Sequence, residues 1–207
     1  MSSSASVLDP VVLNLIRGES VLDVACGYGR WGGLIASNYW EAGLTRPPQV
    51  DGVDAFLPNV ELCQRLPGYR QVWHYNLQDR KLSGTWDTVL ACEIIEHLPQ
   101  EEVEGFVTYL ESLAHKRIIF STPNWPDFRQ GSDTAVGYNS YEAHLSYVSR
   151  RFFREHGYKV VAVGFGSRAN LLSRIINKVW PGARTVLMGL PLLFPSFGTH
   201  VIAYKDL

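Results

Sequence analysis

The sequence of 207 residues has no excess of positive charge, no closely paired cysteines and no apolar run long enough to cross a bilayer. Each absence removes a class of function. A formal net charge of −1 gives no electrostatic basis for nucleic acid as a partner, because phosphate binding calls for a basic surface. Cys26, Cys63 and Cys92 are odd in number and far apart, unlike the close pairs of a zinc site or the even count of a disulfide framework. They suit a reducing, cytoplasmic setting. The opening MSSSASVLDP lacks a positive segment followed by an apolar core, so it does not read as a secretory signal. The most apolar late stretch, VLMGLPLLFPSF at 186–197, holds 12 residues and two prolines, too short to span a membrane although able to lie on one.

What is present fits one α/β domain over 1–207: the length supports one sizeable core and is short for two. VLDPVVLNLI (7–16) predicts a leading helix, and SVLDVAC (20–26) a buried strand that breaks into glycines before the helix RWGGLIASNYW (30–40). The alternation continues. QVDGVDA (49–55), YRQVWHYNL (69–77), TWDTVLACEII (85–95) and KRIIFSTPN (116–124) read as strands, with helices at 58–66 and 100–115 between them. This order predicts a doubly wound, mostly parallel sheet. Periodicity lapses over 125–145, as in a lid or binding loop. A helix at 146–158, a strand at 159–166, an apolar insertion over 167–198 with a helix at 170–180, and a last strand at 199–205 complete the chain. The two late strands are expected to form an antiparallel pair carrying the insertion as an excursion.

DVACGYGRWGG (23–33) contains Gly27-x-Gly29-x-x-Gly32 after a strand and before a helix, where a nucleotide-binding turn belongs. The alternative is a tight turn with no ligand. Asp23, four positions before Gly27, discriminates between ligands: its carboxylate opposes a diphosphate and suits a ligand carrying an ammonium and a sulfonium. With this acidic residue and these spaced glycines, the segment resembles the class I, Rossmann-like S-adenosylmethionine-dependent methyltransferases, with Ala25 where the family has its first glycine. Further segments match in order: VDGVDAF (50–56), YNLQD (75–79), DTVLACEIIEHLP (87–99) and FSTPN (120–124).

The resemblance implies a seven-stranded sheet with its last strand antiparallel, and S-adenosylmethionine as the methyl donor, leaving as S-adenosylhomocysteine. Asp23, Ala25, Gly27, Gly29 and Trp31 would then form the donor turn, with Asp54 and Ala55 at the ribose. Asn76 and Leu77 would flank the adenine, and Glu93 would face the methionine end or the acceptor. Asn124 is expected to line the acceptor pocket, with Trp125, Tyr138 and Tyr141 stacking on the acceptor or anchoring the loop. His97 reads either as a site residue or as a helix cap.

Methyl transfer from a sulfonium requires alignment and water exclusion, with no metal and no enzyme nucleophile. If the acceptor is a hydroxyl, a base takes its proton, and His144, closing the aperiodic loop, is the candidate, with an imidazole expected to titrate near pH 6.5. The stretch holding Asn139, Glu142 and His144 looks like a subgroup found near sugar and cell-envelope biosynthesis, which implies a small-metabolite or glycan hydroxyl, and less so an amine. Three uses compete for the insertion: a homodimer interface, a hydrophobic acceptor pocket, or peripheral membrane contact for a lipid-linked acceptor. Extra core packing is the fourth. An NAD(P)-dependent oxidoreductase and a non-catalytic adenosyl-binding subunit remain alternative functions.

Overall fold

A computed structural model describes residues 4–79, 81–166, 171–180, 182 and 186–207. Seven strands form one sheet in the order β3-β2-β1-β4-β5-β9-β8. The parallel members are β1 (Ser20–Val24), β2 (Gln49–Asp54), β3 (Gln71–His74), β4 (Trp86–Cys92) and β5 (Ala114–Pro123). β9 (Gly198–Asp206) runs antiparallel between β5 and β8 (Lys159–Phe165), as the paired late strands predict. Strand order reverses between β1 and β4, so the crevice outside their carboxyl ends is where a ligand site forms in such a sheet.

Both faces of the sheet are covered, which is why its strands read as continuous apolar runs. Side chains alternate between faces along each strand. Leu22, Val89, Ile118 and Phe120 meet Phe106, Val107 and Leu110 of α4 (Val103–Leu113) and Phe153 of α5 (Arg150–Glu155). Val21, Leu90, Ile119 and Ile202 meet Val12 of α1 (Asp9–Leu15) and Trp31 and Ile35 of α2 (Arg30–Glu41) on the other face. α3 (Leu57–Cys63) packs beside β2 and β3.

Two elements differ from expectation. The helix expected over 146–158 is confined to Arg150–Glu155. The backbone N–H groups of Leu145 and Ser146 both bond the Glu96 carbonyl and hold the chain extended, and the helix starts only where the Ser149 hydroxyl accepts from the Phe152 N–H. The aperiodic stretch is itself ordered: β6 (Ser132–Thr134) and β7 (Gly137–Asn139) form a small hairpin, and Arg129 pairs with His144 below it.

In the insertion, α6 (Leu171–Val179) and α7 (Leu190–Leu193) flank positions 181 and 183–185, which with 167–170 lie outside the described residues. Core packing does not account for its apolar side chains: Leu171, Leu172, Ile175, Val179, Leu192 and Leu193 are all exposed. No helix of the described residues is long and apolar enough to cross a membrane.

Candidate functional site

At the end of β1 the chain turns through three left-handed residues, Ala25 (φ 57°), Gly27 (φ 54°) and Gly29 (φ 82°). A Cβ in this region costs about 1–2 kcal/mol, so Ala25 holds a conformation glycine adopts freely. Asp54, at the end of β2, fixes the turn. Its carboxylate accepts from the Gly27 N–H (2.9 Å), the Phe56 N–H (2.8 Å) and Asn59 Nδ2 (3.3 Å). Burial pushes the Asp54 carboxyl up, and these donors pull it back. Beside it, Asn59 Oδ1 is buried without a partner. A carboxylate next to an unused amide oxygen suits a ligand that brings hydroxyl donors.

Asp23 takes a different place from the one expected. It lies behind the turn, off the cavity wall, and accepts the Tyr69 hydroxyl, which itself accepts from the Gly32 N–H (3.1 Å). Burial raises its carboxyl to about 7, so at neutral pH it does not present a full negative charge to a ligand. Asp23 therefore anchors the start of α2, and the acidic group beside the turn that lines the cavity is Asp54. Gly29 is likewise off the wall, and a Cβ there would stand 3.0 Å from Cys63 Sγ and 3.2 Å from the Tyr69 ring. Gly32 is glycine because a Cβ there would stand 2.3 Å from the Tyr69 ring, whereas Gly33 meets nothing within 4 Å.

A cavity of about 1070 Å³ opens outside the carboxyl ends of β1 and β4. Ala25, Gly27, Trp31, Asp54 and Ala55 line one end, with Asn76 and Leu77 beside them. Glu93, Trp125, Tyr141 and His144 line the other. Two expected members are elsewhere. Asn124 donates to the carbonyls of Pro195 (2.8 Å) and Gly198 (2.9 Å), so it fastens the return of the insertion, and Tyr138 points outward, 59% exposed on the hairpin.

The end of the cavity lined by Glu93 and His144 is crowded with titratable groups. Glu93, left-handed at φ 55° just past β4, accepts from the Ser121 hydroxyl (2.8 Å) and lies 3.5 Å from His200 Nε2. Burial raises its carboxyl, opposed by His200. Glu96 uses one oxygen to accept from the Thr122 hydroxyl (3.1 Å), and its Oε1 is buried with no partner. Burial and the neighbouring Glu93 push it well above the carboxylate range. His97 Nδ1 donates to the Ala143 carbonyl (2.9 Å), and burial lowers its pKa.

His144 corrects the expectation of an imidazole near pH 6.5. Burial, then His97 (rings 4.7 Å apart, edge to face) and Arg129, lower it to about 4. The Arg129 guanidinium donates to its Nε2 (2.6 Å), and its Nδ1 lies 3.7 Å from the Asp127 carboxylate. The hairpin reaches back to the glycine turn, where the Ala135 N–H donates to the Tyr28 hydroxyl (3.1 Å).

Asn59, Glu96, Arg129 and His200 line the cavity without having been expected there from the sequence, and Tyr28 ties down the hairpin beside it. The Glu93-x-x-Glu96-His97 spacing was the one signal for an acidic, imidazole-bearing corner. Nothing local marks Arg129 or His200, because each meets the site through pairing across distant segments.

A model of the methyltransferase domain family matches residues 5–163. Over 114 residues the chain is 27% identical to the chloroplastic magnesium protoporphyrin IX methyltransferase of Arabidopsis thaliana, covering 51% of this chain and 33% of that protein. Over 110 residues it is 28% identical to the magnesium-protoporphyrin O-methyltransferase of Synechocystis, covering 48% and 46%. The chain thus spans less than half the length of these curated relatives. The crystal structure of the Synechocystis magnesium protoporphyrin IX methyltransferase with bound S-adenosylmethionine superposes with a TM-score of 0.52 at 19% identity, over 95% of this chain and 73% of that one. That likeness concerns the fold. With the matched model covering most of its length, the chain belongs to the methyltransferase domain family, within the class I S-adenosylmethionine-dependent methyltransferases.

Proposed function

We propose that this chain transfers a methyl group from S-adenosylmethionine to an oxygen, with nitrogen second, of a small-metabolite or glycan acceptor. The observation that carries the reading is one continuous cavity with a donor wall and an acceptor wall. Its volume of about 1070 Å³ exceeds the roughly 300–1,000 Å³ common for a single ligand. The fit of the donor rests on Asn59 Oδ1 and Asp54: an unused buried acceptor beside a carboxylate is matched by the two hydroxyls of a ribose. Leu77 offers an apolar face to the adenine, and Asn76 an amide at its edge. The relative named as an O-methyltransferase supports oxygen as the acceptor atom.

When bound, the donor supplies a methyl carbon on a cationic sulfur, which keeps the electrons of the broken bond as S-adenosylhomocysteine forms. The chain's own residues align the acceptor and exclude water around it. Trp125 and Tyr141 wall the acceptor end, and the hairpin tied to Tyr28 covers the join. His144 is too weak a base to ionise a hydroxyl beforehand. Once Arg129 yields the Nε2 lone pair, it takes the proton as the oxygen–carbon bond forms.

A second reading of the acceptor, a lipid-linked one, is favoured by the exposed Leu171, Leu172, Ile175, Leu192 and Leu193 on the insertion, whose Met188 lines the cavity. Calorimetry with S-adenosylmethionine and with NAD, followed by an acceptor screen reading S-adenosylhomocysteine release, tests the proposal. Binding of NAD alone would overturn it. Vesicle co-sedimentation separates the acceptor readings, and a concentration-dependent sedimentation coefficient would assign the same patch to a homodimer.

A further inference from the structure

We propose that Glu96, His97 and His144 form a binding site for one divalent metal ion of the zinc class at the acceptor end of the cavity. Each offers one ligand atom, and these atoms lie within 4.8 Å of one another. Ligand atoms held tetrahedrally around an ion at about 2.1 Å stand about 3.4 Å apart, so the side chains close inward by up to about 1.4 Å when the ion binds. All three residues line the cavity. Two come from the turn after β4 and the third from the far end of the lid, so the site closes only when the lid is folded down.

A separate observation points to a cation. Glu96 is 3% exposed and its Oε1 has no partner, although the other oxygen is satisfied by Thr122. An unused carboxylate oxygen withdrawn from water is costly, and a coordinated ion relieves it. One of the two histidines is already braced from behind. His97 donates its Nδ1 proton to the Ala143 carbonyl, which leaves the Nε2 lone pair for a ligand bond. His144 turns Nδ1 toward the Asp127 carboxylate (3.7 Å). Outer partners of this kind, a carbonyl or a carboxylate on the second ring nitrogen, orient metal-binding imidazoles.

The remaining lone pair of His144, on Nε2, receives the Arg129 guanidinium at 2.6 Å. The same guanidinium favours the charged forms of Glu93 and Glu96. Arg129 thus holds the position of a cation and competes with the ion for the His144 Nε2 lone pair, so His144 serves as the base only in chains that hold no ion. Two imidazoles and one carboxylate with open positions suit zinc and its first-row neighbours better than magnesium, which takes oxygen ligands. The open positions face the cavity, within reach of an acceptor's oxygen.

The test uses the whole chain stripped with a chelator, without methyl donor, so its outcome is separate from that of the methyl-transfer reading. Zn²⁺ is titrated in competition with a chromogenic chelator, and Co²⁺ is followed by its visible absorption. One ion per chain is expected, with a cobalt spectrum of nitrogen and oxygen ligands. Glu96→Gln and His97→Gln should each weaken zinc by about 10-fold or more, and Arg129→Ala should tighten it. A wild-type chain that takes up no stoichiometric zinc overturns the site. So does undiminished affinity in the Glu96→Gln, His97→Gln double variant. A thiolate band in the wild-type cobalt spectrum would also overturn it, by placing the ion on the buried cysteines, and that measurement requires no variant to fold.

Discussion

The two walls of the cavity are built by opposite means. On the side proposed for the donor, the main-chain N–H groups of Gly27 and Phe56 converge on Asp54, and the lining residues sit at the ends of β1, β2 and β3. On the acceptor side, side chains do the work: Glu93, Glu96 and His97 from one turn, Arg129 and His144 from the lid, and His200 from β9. Backbone geometry recognises a fixed ligand and tolerates side-chain change around it. A cluster of buried titratable groups can be retuned residue by residue, and its charge state depends on every neighbour.

The largest expected effects test whether the walls act separately. Asp54→Ala removes three hydrogen bonds and should weaken donor binding by about 1.5–3 kcal/mol, roughly 10- to 150-fold in Kd by calorimetry. Acceptor KM should stay close to its original value. His144→Ala should do the reverse, lowering kcat on the order of 10²-fold with donor Kd preserved. Equal loss of both quantities in either variant would break the comparison.

Opposite pH responses sharpen it. Asp23 is raised from 3.8 to about 7 on folding, so the folded state holds its proton more tightly and this contribution to stability is lost as pH rises between those values. His144 is lowered from 6.5 to about 4, so the unfolded state holds the proton more tightly and stability is lost as pH falls from 6.5 toward 4. Each slope is at most about 1.4 kcal/mol per pH unit. In chemical denaturation across pH 4–7, Asp23→Asn should make stability climb more steeply with pH, and His144→Gln should make it climb less or fall. Shifts of the same sign would mean that one of the two environments is misassigned.

Smaller effects are expected at the neighbouring glycines of α2. Gly32→Ala drives a methyl into the Tyr69 ring and should destabilise by about 1–3 kcal/mol. Gly33→Ala meets open space and should stabilise the helix by up to about 1 kcal/mol. Thermal melting distinguishes them, and equal behaviour would mean that Tyr69 does not pin the helix.

The strands of the sheet were legible because buried parallel strands leave short apolar runs at regular intervals, as SVLDV and TVLAC do. That Gly27, Asp54 and Leu77 line one cavity was legible for the same reason of locality, because each stands at or just past a strand end. Asp23 misled because strand position does not reveal which way a side chain is claimed, and Tyr69 claims it from 46 residues away. The acceptor wall was only partly legible. His144 and Glu93 stood out as types, yet the lowered pKa of His144 depends on His97 and Arg129, brought there by the fold. The truncated helix after Ser149 was hidden similarly, because the Glu96 carbonyl that straightens residues 145–146 lies in another segment.

Ala25 and Glu93, the two non-glycine residues with positive φ among the described residues, occupy matching corners on adjacent central strands. β-Branched residues are all but barred from both corners by sterics alone. Replacement at the two corners is therefore confined to residues that tolerate a left-handed backbone, a limit that the hairpin and the insertion do not share.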